Sequence, residues 1–408
     1  MYDAIVVGAR CAGSPTAMLL ARKGYRVLLV DRAVFPSDTL SVHYIHQPGV
    51  ARLEEWGLLE EVKASGCPPV RRQRFDVGPF ALVGEPPPAN GVADGYAPRR
   101  TVLDKILVDA AVAAGAELRE RFTVDELVTE GGRVTGVRGR EAGGAGVVEQ
   151  APIVIGADGM RSRVARAVAA PEYAVKPSLT CTYYSYWNGV PVDGVELYPR
   201  PGQMIAAGAT NDEQTLVIVY WPKRLFHDVR ADIEGRFMEA IDLVPSLAER
   251  VRNGERAEPF RGTGDLPFYL REPYGPGWAL VGDAGYHKDP ITAQGIADAF
   301  RDADLLAQAV DEGFRGTRPL GEALAEYERR RNEQVMPIYE FTHQLGALEP
   351  PPPEMQALFA ALREDEEQTG RFLGTVAGTV PIAEFFAPEN VARIVGAPAG
   401  EFVGTAQS

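Results

Sequence analysis

The chain has 408 residues, of which 45% are hydrophobic and 24% charged. That is the composition of a folded chain of two or three lobes, and it excludes a disordered or collagen-like polymer. Lys and Arg number 42 against 56 Asp and Glu, a net charge of −14. This repels phosphate backbones and anionic lipid, so no nucleic-acid partner and no membrane insertion are expected.

Cys11, Cys67 and Cys181 form no CxxC pair, so neither a disulfide scaffold nor a metal site is expected. No apolar run approaches the roughly 20 residues that cross a bilayer, and the first residues resemble no leader, so a cytoplasmic location fits.

In chain order, residues 3–8 form a short apolar run ending in glycine, and residues 14–24 follow with helical spacing. Residues 25–30 are a second aliphatic strand ending in Asp31-Arg32, which completes a βαβ unit with parallel strands. A helix is predicted over 48–62 with Val50, Leu53, Trp56 and Leu59 on one face.

Short strands broken by Gly84-Glu85-Pro86-Pro87-Pro88 and Asn90-Gly91 come next, then a helix over 101–114 and a buried strand over 151–156. Residues 178–222 read as an antiparallel sheet rich in aromatics. Tyr183, Tyr184, Tyr186, Trp187, Tyr220 and Trp221 either floor a ligand cavity or are ordinary sheet core. A strand over 277–282 leads to a helix over 294–312 and a helical remainder interrupted by Pro350 to Pro353.

Gly8-Ala9-Arg10-Cys11-Ala12-Gly13 has the form of a dinucleotide-binding turn, in which glycines let the backbone approach a pyrophosphate at the start of a helix. Arg10 replaces the second glycine, where a side chain either crowds the phosphate or strains the backbone. It acts there as a cation beside the pyrophosphate or as a solvated arginine. Asp31 is the expected acceptor for a ribose hydroxyl, with Arg32 beside it.

Two further segments carry a resemblance. Ile155-Gly156-Ala157-Asp158-Gly159-Met160-Arg161-Ser162-Arg163-Val164 resembles the Asp-Gly motif of flavoprotein monooxygenases of the para-hydroxybenzoate hydroxylase type. Gly282-Asp283-Ala284, Asp289-Pro290 and Gln294-Gly295-Ile296 resemble their second FAD motif, and with the opening turn and Arg100-Thr-Val-Leu103 the matches keep the family's order across residues 4–310.

The resemblance implies FAD held by Gly8, Arg10, Gly13, Asp31, Arg32, Arg100, Asp158, Asp283, Pro290, Gly295 and Ile296. Arg99 is the runner-up to Arg100, and Asp158 has an alternative as a loop cap. It also implies NADH or NADPH as co-substrate, bound transiently, and molecular oxygen as partner.

Asp-Pro in place of Pro-Pro resembles geranylgeranyl reductases and flavin halogenases, but the four tryptophans never stand two apart, which disfavours halogenation. His43, His46 and His287 are weighed as general bases against packing histidines, while His227 and His343 lack a motif context; no catalytic residue is assigned.

The fold expected is α/β: a Rossmann-type FAD-binding domain from residues 1–70, 96–175 and 275–345, an inserted antiparallel β-sheet substrate domain from 71–95 and 176–274, and a helical C-terminal cap over 346–408. The function expected is monooxygenation of an aromatic or polyketide-like small molecule through a flavin hydroperoxide, by a monomer or homodimer. The alternatives are a flavin reductase of an alkene or prenyl substrate, and a nucleotide-binding protein without turnover.

Overall fold

The computed structural model describes residues 1–396. The strands Ala4–Val7, Val27–Val30, Val154–Gly156 and Trp278–Leu280 are buried throughout. With Glu117–Arg119 they form a parallel sheet in the order Trp278–Leu280, Val154–Gly156, Ala4–Val7, Val27–Val30, Glu117–Arg119, and Tyr274–Gly275 joins antiparallel at the edge. These strands are continuous apolar runs because both faces are covered.

Helices α1 (Gly13–Arg22), α2 (Gln47–Glu55), α3 (Leu59–Ala64) and α4 (Arg100–Ala113) follow in chain order. Gly57 at φ +77° splits the expected single helix over 48–62 into α2 and α3. Met18 and Leu20 of α1 and Leu103 and Leu107 of α4 pack on Ala4, Val6 and Leu29 of the sheet. The opposite face, Ile5, Val7, Leu28 and Val30, meets Phe122, Val124 and Val137 of a three-stranded antiparallel sheet. The short α5 (Arg163–Ala167) follows the Asp-Gly segment.

The aromatic region forms an eight-stranded sheet around Thr180–Asn188, Thr215–Pro222, Gln203–Ala209 and Val195–Arg200, antiparallel except where Val195–Leu197 runs parallel to Gln73–Phe75. Alternation along the strands divides the six aromatics. Tyr184, Tyr186 and Tyr220 share one face with Met204 and Ile218. Tyr183, Trp187 and Trp221 lie on the other, in a core with Phe237, Ile241 and Leu247. The two readings left open for these aromatics therefore divide: Tyr183, Trp187 and Trp221 are sheet core, and Tyr184 of the other face lines a cleft.

The covering residues belong to α6 (Phe226–Ala231), α7 (Ile233–Ile241) and α8 (Pro245–Asn253), which the sequence reading did not anticipate. Their signals were present: Asp232 caps α7 by accepting from the Gly235 N–H at 3.0 Å, and Pro245 opens α8.

The long α9 (Gly295–Phe314) returns to the parallel sheet through Phe300 and Leu306, and α10 (Leu320–Gly346) packs along it. Helices α11 (Pro353–Leu362), α12 (Glu366–Ala377), α13 (Ile382–Phe385) and α14 (Pro388–Val395) close over the far end of the large sheet. There Leu358, Phe359, Phe372 and Phe385 bury Leu82 and Phe75. Residues 397–408 of the expected cap lie outside the described residues.

Candidate functional site

The three motif segments converge on one cleft of about 960 Å³, bounded by the parallel sheet, α9 and the large sheet. Gly8, Arg10, Asp31, Arg32, Arg100, Asp158, Asp283, Pro290, Gly295 and Ile296 all line it. Gly13 does not reach the cleft but makes the turn: a Cβ there would lie 1.7 Å from the Gly8 carbonyl oxygen. Gly8 has φ +105°, and a Cβ on it would lie 2.4 Å from the Ala157 oxygen. Neither glycine therefore has room for a side chain, and the turn sets the backbone of α1's start against the cleft.

Asp31 accepts from the Ala9 N–H at 2.7 Å and the Ala33 N–H at 2.8 Å, so its carboxylate is fixed at the strand end with lone pairs left for a ribose hydroxyl. Arg32 is exposed at the rim. Arg10 is not in the left-handed region, so the second-glycine position carries no backbone strain. Nor is Arg10 a solvated side chain: it donates to Asp104 at 2.5 Å and to the Ser37 hydroxyl at 2.7 Å.

Asp104 is fully buried and also accepts from Arg100, at 3.0 Å to each oxygen, and from the Cys11 thiol at 3.3 Å. This carboxylate organises both cleft arginines and was missed in the sequence, although it stands one helical turn after Arg100. Arg99 is directed elsewhere, to Glu258 at 2.5 Å and Gln214 at 2.9 Å, and lies 3.7 Å over the Tyr186 ring.

Asp158 caps α5 by accepting from the Arg163 N–H at 2.6 Å, which is the loop-cap role. Its other oxygen is buried and has no hydrogen-bond partner among the described residues. Asp283 is exposed on the cleft wall and its carboxylate makes no hydrogen bond among the described residues; its backbone oxygen accepts from Tyr269 at 2.7 Å. An unfilled acceptor on each wall and a turn closed by two glycines that admit no side chain fit a ligand with a diphosphate and hydroxyl groups, as FAD has.

At the other end, Asp289 caps the turn before α9, accepting from the Ile291 N–H at 3.0 Å and from the Thr180 hydroxyl. Burial pushes its pKa up to about 6 against those bonds. Ala293 then turns at φ +53°, and Gly295 opens α9 with nothing within 4 Å of where a Cβ would be.

Of the histidines, His43 and His287 line the cleft. His43 Nδ1 lies 3.3 Å from the Ala97 carbonyl oxygen, which only accepts, so Nδ1 carries the proton and Nε2 accepts from the Tyr186 hydroxyl at 2.9 Å. Burial, with Arg100 and Arg99 adding to it, lowers His43 to about 3. It is a neutral acceptor that orients Tyr186. His46 donates to the Thr292 oxygen at 3.0 Å, and burial lowers it to about 4.

Comparison with known proteins agrees with this geometry. A profile described as an FAD binding domain matches residues 1–342. The chain is 26% identical to a tryptophan 2-halogenase of Chondromyces crocatus, over 80% of this chain and 64% of that one, so it spans less than two thirds of that relative. It is 27% identical to digeranylgeranylglycerophospholipid reductase 2 of Methanococcoides burtonii, over 80% of this chain and 79% of the relative. Among solved structures, PqsL, a probable FAD-dependent monooxygenase from Pseudomonas aeruginosa, superposes with a TM-score of 0.72 at 20% identity, over 91% of this chain and 99% of that one. The chain thus belongs to the FAD binding domain family.

Proposed function

We propose that the chain is an NAD(P)H-consuming, FAD-dependent monooxygenase that hydroxylates or epoxidises a small aromatic or polyketide-like molecule. One observation carries this reading: the part of the cleft nearest the large sheet is aromatic and broken by polar groups, not continuously apolar. Tyr44, Tyr184 and His43 stand there among Val42 and Leu266. A flat ring bearing polar groups is matched by such a wall, whereas a prenyl chain needs a continuous apolar groove. PqsL, which shares the fold, has been solved in complex with 2-aminobenzoylacetate, a molecule of that kind.

FAD would be held by Gly8 and Gly13 at the turn, Asp31 and Arg32 at the adenosine end, Arg10 and Arg100 beside the diphosphate, and Asp158, Asp283, Pro290, Gly295 and Ile296 along the ribityl chain and ring. When bound, FAD would supply the two-electron chemistry that links a nicotinamide to dioxygen, with one oxygen atom going to substrate and the other leaving as water. Arg161, Arg163 and Arg166 stand exposed at the mouth of an otherwise acidic chain, a landing surface for the nicotinamide dinucleotide. The domain division at residues 71–95 and 176–274 belongs to the same reading: those segments supply Tyr184 and Leu266 to the substrate wall, and residues 1–70 supply Val42, His43 and Tyr44.

A second reading, reduction of an alkene or prenyl substrate, is favoured by Asp289-Pro290 and by the reductase relative. The deciding experiment reconstitutes the protein with FAD and offers NADH or NADPH with small phenols under ¹⁸O₂. Substrate-stimulated nicotinamide oxidation with ¹⁸O in the product is expected. Anaerobic turnover of an alkene without oxygen incorporation would establish the reductase instead, and halide incorporation would align the chain with its halogenase relative.

A further inference from the structure

One wall of the cleft is a stretch of chain without regular structure. Asp31 to Ala33 line the cleft at its nucleotide end, Asp38 to Tyr44 line it from there to the substrate end, and residues 31–44 contain no helix or strand. From Val34 to His43 this stretch has one backbone–backbone hydrogen bond, in which the Val42 oxygen accepts from the Tyr44 N–H at 2.7 Å. Side chains hold the rest. Backbone without a ladder of its own opens locally at little cost, so the place of this wall depends on what its side-chain anchors are rooted in.

The first anchor is Arg10. Its guanidinium donates to the Ser37 carbonyl oxygen at 3.2 Å, the Ser37 hydroxyl at 2.7 Å, the Asp38 carbonyl oxygen at 3.4 Å and Asp104 at 2.5 Å. Four of the five N–H groups of an arginine are thereby used within the protein, and only Nε–H is left for a diphosphate. Arg10 also lies 5.4 Å from the centre of the Phe35 ring.

The second anchor is Arg261, on the strand Arg261–Thr263 that pairs with Thr180–Asn188 of the large sheet. It donates to the Asp38 carboxylate at 2.6 Å. The third is His43, at φ +39°, a conformation that a residue with a side chain keeps only where its surroundings hold it. Its N–H donates to the Ser41 hydroxyl at 3.0 Å, and its ring is fixed between the Ala97 oxygen and the Tyr186 hydroxyl. Of the three, Arg10 alone is rooted in the turn closed by Gly8 and Gly13 and in the buried Asp104. It carries the position of that rigid corner into Ser37 and Asp38.

We propose that Arg10 is a positioning residue for the substrate end of the cleft: through Ser37 and Asp38 it sets where Val42, His43 and Tyr44 stand, and contact with the diphosphate is its lesser task. That these three residues receive substrate rests on the function proposed above; that Arg10 sets their place does not.

The test compares Arg10→Ala and Ser37→Ala with the wild type, all loaded with FAD. In Arg10→Ala, Asp104 keeps its two bonds from Arg100, so no buried carboxylate is stranded. Ser37 does not line the cleft, so its variant cannot act through the diphosphate. Without substrate, amide hydrogen exchange over residues 34–45 should rise about tenfold or more in Arg10→Ala and less in Ser37→Ala, with α1 and α4 as protected as in the wild type. FAD affinity of Arg10→Ala, read by flavin fluorescence, should fall by no more than about threefold. With NADPH and 4-methylphenol in air, Ser37→Ala should raise the KM for the phenol about fivefold and leave kcat in place.

Wild-type protection over residues 34–45 in both variants overturns the proposal. So does exchange that rises equally in α1 and α4, which is general loosening. A loss of FAD affinity of about tenfold with the segment still protected also overturns it, because the diphosphate would then be the main partner of Arg10. If Arg10→Ala does not fold, Ser37→Ala decides by the same exchange pattern. If the wild type oxidises no phenol, the proposed function fails, and the exchange measurement still decides the role of Arg10.

Discussion

Two helix starts meet in the cleft, and they are built in opposite ways. At α1 the chain arrives through a turn with no spare volume: a Cβ on Gly13 would lie 1.7 Å from the Gly8 oxygen. At α9 it arrives through a left-handed Ala293, and a Cβ on Gly295 would meet nothing within 4 Å. The first start is fixed by steric exclusion within the protein. The second is sterically open and is defined by its charges and by the Asp289 cap. A glycine in a nucleotide motif can thus serve the fold or serve the ligand, and the two uses are separable by experiment.

The largest expected effect breaks the steric side. Gly13→Val places branched carbon against backbone that cannot withdraw, a loss on the order of 5 kcal/mol or more. The variant should yield no folded, flavin-coloured protein, read by circular dichroism and absorbance at 450 nm. A folded variant would show that the Gly8 turn can relax. Next in size is Asp104→Ala, which leaves Arg10 and Arg100 without their shared carboxylate at side-chain exposures of 25% and 10%. A destabilisation of about 3 to 5 kcal/mol is expected by denaturant unfolding. A change under about 1 kcal/mol would mean that water replaces Asp104 at little cost.

These two variants also mark what the sequence could and could not disclose. Gly8, Gly13 and Asp31 were legible because a tight turn, a helix start and a strand end are local, and each needs a particular residue type. The bond between Arg10 and Asp104 joins positions 94 apart and carries no local signature. The same holds for Lys288, whose neighbours His287 and Asp289 were read while its partner Asp298 lay on the next helix. In the large sheet, period-two alternation was visible, but which aromatics faced the cleft depended on α6 to α8 covering the other side. Missing those helices left the face assignment open.

On the electrostatic side, Asp289 gives a pH signature. Its pKa is raised to about 6 in the folded protein and is about 4 in the unfolded chain. Below pH 4 it is protonated in both states and has no net effect. Between pH 4 and 6 the unfolded chain releases the proton first, so stability falls as pH rises, and above pH 6 a loss of up to about 3 kcal/mol persists. Asp289→Asn keeps an oxygen acceptor for the Ile291 N–H and removes the titration. The stability of the variant relative to wild type should therefore grow from pH 4 to 6 and then level off, measured as denaturant midpoints. Parallel curves would mean that the carboxylate finds solvent.

The smallest effect on the fold is the sharpest on the comparison. Gly295→Ala adds a methyl group into open space at ordinary φ, and alanine favours helix over glycine by up to about 1 kcal/mol, so the melting temperature should hold or rise slightly. If the flavin ring rests against the backbone N–H groups at the start of α9, that same methyl stands between them, and FAD affinity should fall about tenfold, near 1.4 kcal/mol. Stability retained with affinity lost would assign this glycine to the ligand, in contrast to Gly13, where both are lost together. Unchanged affinity would mean that the ring does not approach α9.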